Sequence, residues 1–374
     1  MSYFRKKGLT RVDQQFLAGG SFLNWLHLVA AHGGVDWRYW IRSLYVSIVA
    51  LLNTPFRAYE NAKFGARIAA TPIREAPIFI LGHWRSGTTH VMRLMARDPV
   101  FAVVTFVHTM IPGLYLSSPL FRKLLVSSLP KVRPMDNVTV APDAAEEEEY
   151  ALGNLGPYSF YHALSFPKKM REIFDKYVLF EGVERKVIEQ WKAIYFHFLK
   201  KVTFSSGGKR LLLKNPANTG RIPTLLEMFP DAKFIHVYRN PYVVYSSTMH
   251  WLDKELVPTA LQDVDEETLR EHALRNYEKL MLHYETDKAL IPAGNLVEVR
   301  FEDFEINPLG EMMRIYQGLG LALTPEVQAQ MQQYLQTVKG YKKNVYRLDR
   351  RTRRELARRW GFMIRRGHYE PPSV

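Results

Sequence analysis

Short apolar runs alternate with stretches of helical spacing along most of this chain. Pro77–Leu81 (PIFIL) reads as a buried strand, and Val91, Leu94 and Met95 place a helix over Thr88–Ala96 behind it. Phe101–Val107 (FAVVTFV) is a second strand. Arg210–Leu213 is a third, followed by a helix through Ile222–Met228. Lys233–Tyr238 is a fourth, again with a helix behind it, and Leu296–Val299 is a fifth, leading to a helix through Leu309–Leu319. Strands that alternate with helices predict an α/β protein: a parallel sheet with helices on both faces. Functional groups then belong at the carboxyl ends of the strands. Ahead of Pro72 the pattern is helical, with apolar residues at helical spacing through Phe22–Val29 and Trp40–Leu52. The predicted organisation is a helical N-terminal extension over 1–75, a core over 76–330 with a helical insertion at about 110–201, and a basic helical segment over 331–374.

Composition narrows the chemistry. The chain has 374 residues, 47% hydrophobic and 24% charged, which is globular and long enough to bury a large core. It has no cysteine, which removes disulfides, thiolate nucleophiles and zinc–thiolate or iron–sulfur sites. The net charge of +14 favours an anionic partner: nucleic acid, anionic lipid, or a phosphorylated or sulfated small molecule. The opening residues are polar and carry no apolar targeting segment, so a cytoplasmic location is expected. Ser43–Leu52 (SLYVSIVALL), bounded by Arg42 and Asn53-Thr54-Pro55, is far shorter than the ~20 residues that span a bilayer. It reads as a packing helix. The sharper alternative is a membrane-surface helix, helped by Trp37, Tyr39, Trp40 and Arg42, which would hold the protein peripherally at the inner face of a membrane. The late arginines, Arg347 to Arg359, come with no nucleic-acid-binding module and read as a solvated helix face, so no nucleic-acid partner is expected.

The most informative segment is Gly82-His83-Trp84-Arg85-Ser86-Gly87-Thr88-Thr89, between the first strand and its helix. Two glycines allow a tight loop whose N–H groups converge on an anion, and the helix start adds donors and a favourable dipole. The spacing matches a nucleotide-triphosphate loop except at the lysine, which is replaced by Thr88. Arg85 is the only cation in the loop. The third and fourth strands run into Lys214 and Arg239 where a metal-binding aspartate would stand, so no metal is expected and a triphosphatase is disfavoured. Arg239 is followed by Pro241, which can open a helix, and Ser247 lies eight residues on, about two helical turns. An arginine and a helix serine so placed can grip a second phosphate.

RSGTT after an apolar strand resembles the 5′-phosphosulfate loop of the sulfotransferases that use 3′-phosphoadenylyl sulfate (PAPS). R-N-P followed by Ser247 resembles their 3′-phosphate site. From Pro77 to Tyr369 the chain is similar to a bacterial subgroup of that family, through FILGHWRSGTTH, RPMDNV, EEEEYAL, LKNPANTGRIPTLLEMFPDAKFIHVYRNP, VRFEDF, YKKN and RWGF. The resemblance implies a P-loop-type sheet and a PAPS donor. Arg85, Ser86, Gly87, Thr88 and Thr89 would hold the 5′-phosphosulfate, and Arg239 and Ser247 the 3′-phosphate. Lys342 and Lys343 would close over the nucleotide. Lys214 resembles the lysine of the cytosolic enzymes' K-T-H-L-P segment, with Pro216 in the place of their catalytic histidine. Lys214 would then neutralise the sulfuryl group in flight.

The base has two main candidates, of which His108 is the first choice, with His83, His90 and His162 as spares. His108 follows the second strand, near where related enzymes carry a glutamate, and its ordinary pKa suits proton transfer. Read from the residues alone, it is equally a packed histidine. The second candidate is the run Glu146–Glu149, with Glu147 or Glu149 as base. The plain reading of that run is the solvated first turn of a helix behind Pro142 and Asp143. The resemblance thus implies sulfuryl transfer from PAPS to a hydroxyl or amine of an acceptor, which the aromatics between Met110 and Lys201 would suit if it is hydrophobic. The competing readings are a nucleoside-triphosphate kinase or triphosphatase of P-loop architecture, and a non-enzymatic membrane-surface or nucleic-acid binder.

Overall fold

The computed structural model describes residues 12, 14–127, 141–339 and 347–370. They form two compact units, each assembled from discontinuous segments: residues 1–74, 104–209 and 251–272 in the first, and 75–103, 210–250 and 273–374 in the second.

The second unit holds the sheet. Its strands are β1 (Ile78–Leu81), β2 (Phe101–Val103), β3 (Arg210–Lys214), β4 (Lys233–Tyr238) and β5 (Leu296–Arg300), in the order β2-β3-β1-β4-β5. Every pairing is parallel. All four β1 residues are buried, as expected for a central strand covered on both faces. The register sets Ile80 between Lys214 of β3 and Ile235 of β4. The loop after β1 therefore emerges between the two strand ends that carry Lys214 and Arg239. The predicted helices stand at Thr88–Met95, Ile222–Met228 and Pro308–Gly318. Late in the chain, helices Arg350–Arg359 and Gly361–Arg366 flank the buried Trp360, whose ring stacks on Tyr277 at 3.9 Å and whose N–H donates to the Leu274 carbonyl.

One predicted strand is shorter than the sequence suggested. β2 ends at Val103, and Phe106–Met110 is a short helix. Thr105 starts it with a reciprocal cap: its Oγ1 accepts the His108 N–H at 3.4 Å, and His108 Nδ1 accepts the Thr105 N–H at 3.2 Å. That local exchange outcompetes the β-branched run.

The first unit is mainly helical, built on Phe22–Ala31, Trp40–Ala69, Glu148–Leu155 and Arg185–Ser205. The Trp40–Ala69 helix runs straight through Asn53-Thr54-Pro55, which the sequence reading took as its boundary. Pro55 deprives the Leu51 carbonyl of its donor, but Pro55 and Leu51 are both exposed, so water can serve it. Tertiary anchors on the opposite face hold the helix on either side. Arg42 donates to the Val257 and Ala260 carbonyls, Asn53 to that of Ala18, and buried Glu60 accepts from Ser117 and Lys201.

Candidate active site

The loop after β1 is a tight turn with little room for side chains. Gly82 has φ +135°, and a Cβ there would stand 2.3 Å from the Val237 carbonyl oxygen; its N–H donates to Thr219 Oγ1 at 2.8 Å. Gly87 has φ +99°, and a Cβ would stand 2.1 Å from the Phe301 ring. Arg85 is itself left-handed at φ 71°, a conformation that costs a non-glycine residue energy. The helix Thr88–Met95 begins directly after Gly87, so its first N–H groups have no intrahelical acceptor.

The two anion anchors read from the sequence come together here. Arg85 Nε donates to Ser247 Oγ at 2.9 Å, and Arg239 Nη1 donates to the Arg85 carbonyl at 3.3 Å. The Arg239 guanidinium lies 4.6 Å over the Phe301 ring. Pro241 opens the helix Pro241–Thr259 that carries Ser247. Ser86 Oγ, in this loop, is buried without a protein hydrogen-bond partner. Such groups are costly unless something else accepts from them, and an anion among two arginines would. Lys214 ends β3 beside β1 and is 1% exposed. His83 is buried, with Nδ1 2.7 Å from the Trp84 carbonyl; burial pushes its pKa down to about 4, so the ring is neutral at pH 7.

The base candidates belong to the first unit. His108 is half-buried, packed 4.4 Å from the Tyr115 ring, and its pKa is pushed down to about 4 by burial, with Lys201 and Arg122 adding to the effect. Its Nδ1 accepts the Thr105 N–H, so the neutral ring carries its proton on Nε2. Glu148 and Glu149 are fully buried, which corrects the expectation of a solvated first turn. Partners distant in sequence hold them: Glu148 accepts from Tyr195 Oη at 2.8 Å, and Glu149 from the Phe160 N–H at 2.7 Å. Glu147, just before the helix, is half-buried and accepts from Tyr161 Oη. Lys342 and Lys343 lie outside the described residues. Sequence reasoning missed Thr219, which holds Gly82, and Phe301, which floors both Gly87 and Arg239. Phe301 sits in the VRFEDF segment, but nothing local marks its ring as part of the loop.

Residues 77–325 match the Sulfotransferase family. The chain is also 32% identical over 354 residues to the omega-hydroxy-beta-dihydromenaquinone-9 sulfotransferase Stf3 of Mycobacterium bovis, covering 94% of this chain and 90% of that relative. The Mycobacterium tuberculosis protein of the same description matches to the same extent. The chain belongs to the sulfotransferase family. Among solved structures, the sulfotransferase STF9 from Mycobacterium avium superposes with a TM-score of 0.67 at 17% identity, covering 93% of this chain and 96% of that one. STF1 from Mycobacterium tuberculosis H37Rv gives 0.64 at 17% identity, covering 87% and 88%. At that identity the likeness is one of fold, and it agrees with the expected P-loop-type sheet flanked by helices. The protein is a sulfotransferase, and the kinase, triphosphatase and non-enzymatic readings fall away.

Proposed function

We infer that this sulfotransferase moves a sulfuryl group from PAPS to the hydroxyl of a hydrophobic, lipid-like acceptor and releases adenosine 3′,5′-bisphosphate. The observation that carries the donor is the Arg85–Ser247 hydrogen bond, which joins the β1 loop to the Arg239 anchor. PAPS supplies an activated sulfuryl group between a phosphate and the acceptor oxygen. Toward it, the N–H groups of Ser86–Thr89 and the Thr88 and Thr89 hydroxyls would hold the 5′-phosphosulfate, with Arg85 as the loop's cation. Arg239 and Ser247 would grip the 3′-phosphate, and Lys342 and Lys343 would add charge to the same nucleotide. Lys214 would offset negative charge on the sulfuryl oxygens.

For the proton, we take Glu147 rather than His108 as the base. His108 presents a proton on Nε2 while its Nδ1 lone pair is committed to the cap, so it meets an acceptor hydroxyl as a donor. Glu149 spends an oxygen on the Phe160 N–H at zero exposure. Glu147 also gives one oxygen to Tyr161 Oη, but it is half-buried where Glu149 is fully enclosed, so an acceptor hydroxyl can reach it more readily. A hydrophobic acceptor is supported by the curated relatives, whose described substrate is a hydroxylated menaquinone.

Two measurements test this reading. Calorimetry should show adenosine 3′,5′-bisphosphate binding tighter than ATP–Mg²⁺; the reverse order sinks the PAPS donor. Incubation with PAPS and an ω-hydroxylated isoprenoid quinone in detergent should yield a sulfated product by mass spectrometry. Transfer only to small polar alcohols would reject the lipid acceptor.

A further inference from the structure

We propose that the outer face of the Trp40–Ala69 helix, with Trp37 ahead of it, docks this enzyme flat onto an anionic lipid bilayer. The proposal deepens the lipid-acceptor reading by naming the surface from which such an acceptor would be collected.

The helix has two opposite faces. One is buried: Arg42, Val46, Ala50, Asn53 and Glu60. On the other, steps of three and four residues run through Trp37, Trp40, Leu44, Ile48 and Leu51, which are 79, 57, 49, 49 and 54% exposed, and on through exposed Pro55 to Tyr59. An isolated exposed leucine needs no explanation, but an unbroken apolar stripe of this length does. The chain from Trp37 to Tyr59 contains no aspartate or glutamate. The same stripe continues at four-residue steps into Lys63 and Arg67, both exposed. Two tryptophans at one end, aliphatics between and cations at the other are the composition of a helix lying in a membrane interface. No helix among the described residues is long and apolar enough to cross a membrane.

A second copy of the chain is the competing occupant, and the charges argue against it. In a two-fold contact the patch meets itself, so Lys63 and Arg67 would need carboxylates within the patch. The carboxylates flanking the stripe are both engaged elsewhere: Asp36 pairs with Lys168 and accepts the Asp263 N–H, and Glu60 points inward to Ser117 and Lys201. Anionic headgroups complement the cations directly, in a protein of net charge +14.

The test is flotation of the full chain with phosphatidylcholine vesicles, with and without phosphatidylglycerol. The wild-type protein should float with the anionic vesicles and bind the neutral ones far more weakly. The triple variant L44E/I48E/L51E should lose at least about a thousandfold in partitioning, since each buried aliphatic is worth roughly tenfold or more. W37A/W40A, a milder change at exposed positions, should weaken binding, and K63E/R67E should remove the preference for phosphatidylglycerol. I306E, at an apolar residue 84% exposed in the other unit, should float like wild type. Wild-type protein that stays unbound, or triple-variant protein that floats equally well, overturns the proposal. So does a dimer seen by light scattering that the triple variant dissociates without any vesicle binding. Calorimetry with adenosine 3′,5′-bisphosphate on the same variants keeps the two readings apart. Unchanged affinity with lost flotation locates the defect in docking, whereas failure of nucleotide binding in the wild type strikes the donor reading alone.

Discussion

Arg85 is held in a left-handed conformation while its side chain reaches Ser247 and its carbonyl receives Arg239. Backbone strain and the charge proposed to meet the donor coincide in one residue, and a glycine separates them. Arg85→Gly should weaken donor binding by about 1.5–3 kcal/mol, the value of a hydrogen bond to a charged group, yet leave the melting temperature unchanged or raised because the strain is gone. Calorimetry and thermal unfolding read the two effects, and a variant that keeps full donor affinity would remove Arg85 from the donor site. Gly87→Ala should lose on both counts, since its Cβ meets the Phe301 ring and its φ is positive. The left-handed backbone alone costs about 1–2 kcal/mol, and donor binding should fall with it. At the proton-transfer step, Glu147→Gln should lower kcat by about 10²–10⁴ with donor affinity preserved. His108→Ala should cost far less. A collapse in His108→Ala with an active Glu147→Gln would reverse the assignment and show that the Thr105 cap opens during turnover.

At the scale of elements, Glu60 ties the Trp40–Ala69 helix to two other segments. Its carboxylate accepts the Leu116 and Ser117 N–H groups at 2.9 and 2.7 Å, the Ser117 hydroxyl at 2.8 Å, and the Lys201 ammonium. Glu60→Ala leaves Lys201 buried without its counter-ion and should destabilise by roughly 3–5 kcal/mol in chemical denaturation. Adding Lys201→Met should recover part of that loss; a double variant as unstable as the single one would assign the effect to the three lost donors instead. Little of this was legible beforehand, because a lone glutamate in an apolar helix announces neither a lysine far along the chain nor two backbone donors. The acidic run behaved the same way. A first-turn glutamate looks solvated in sequence, whereas Glu148 and Glu149 are buried by Tyr195 and the Phe160 backbone. The sheet strands were legible because a doubly covered parallel strand must be apolar at every position, as Ile78–Leu81 is. Val104–Val107 comes close to the same pattern, broken only at Thr105, yet is not strand, because the pattern is blind to Thr105 exchanging hydrogen bonds with His108. The loop after β1 was legible for the opposite reason: its two glycines are dictated by local backbone geometry, which is written in consecutive residues.

Across the whole molecule, both units bury histidines in the neutral state. Burial pushes His32, His83, His108 and His162 down to about 4, and His236 to about 3. In the unfolded chain each returns to about 6.5. Between those values the unfolded state binds more protons than the folded one, so stability rises with pH across that window and falls as the solution is acidified through it. Above about pH 6.5 both states are neutral and the rings impose no penalty. Below it, each fully buried ring costs about 1.4 kcal/mol per pH unit until its folded value is reached. Carboxylates whose folded values are lowered, such as Glu298, add their own loss only at lower pH, so the interval from 7.5 to 5 isolates the histidines. The melting temperature should drop clearly over that interval. His236 allows the cause to be checked, because its ring stacks on Tyr284 at 3.5 Å and neither nitrogen has a hydrogen-bond partner. Phenylalanine keeps the stack and removes the titration, so His236→Phe should melt like wild type at pH 7.5 and higher than wild type at pH 5. Equal melting temperatures for the two proteins at pH 5 would mean that His236 takes up its proton in the folded state without cost, with the Glu298 carboxylate 3.9 Å away as its counter-ion.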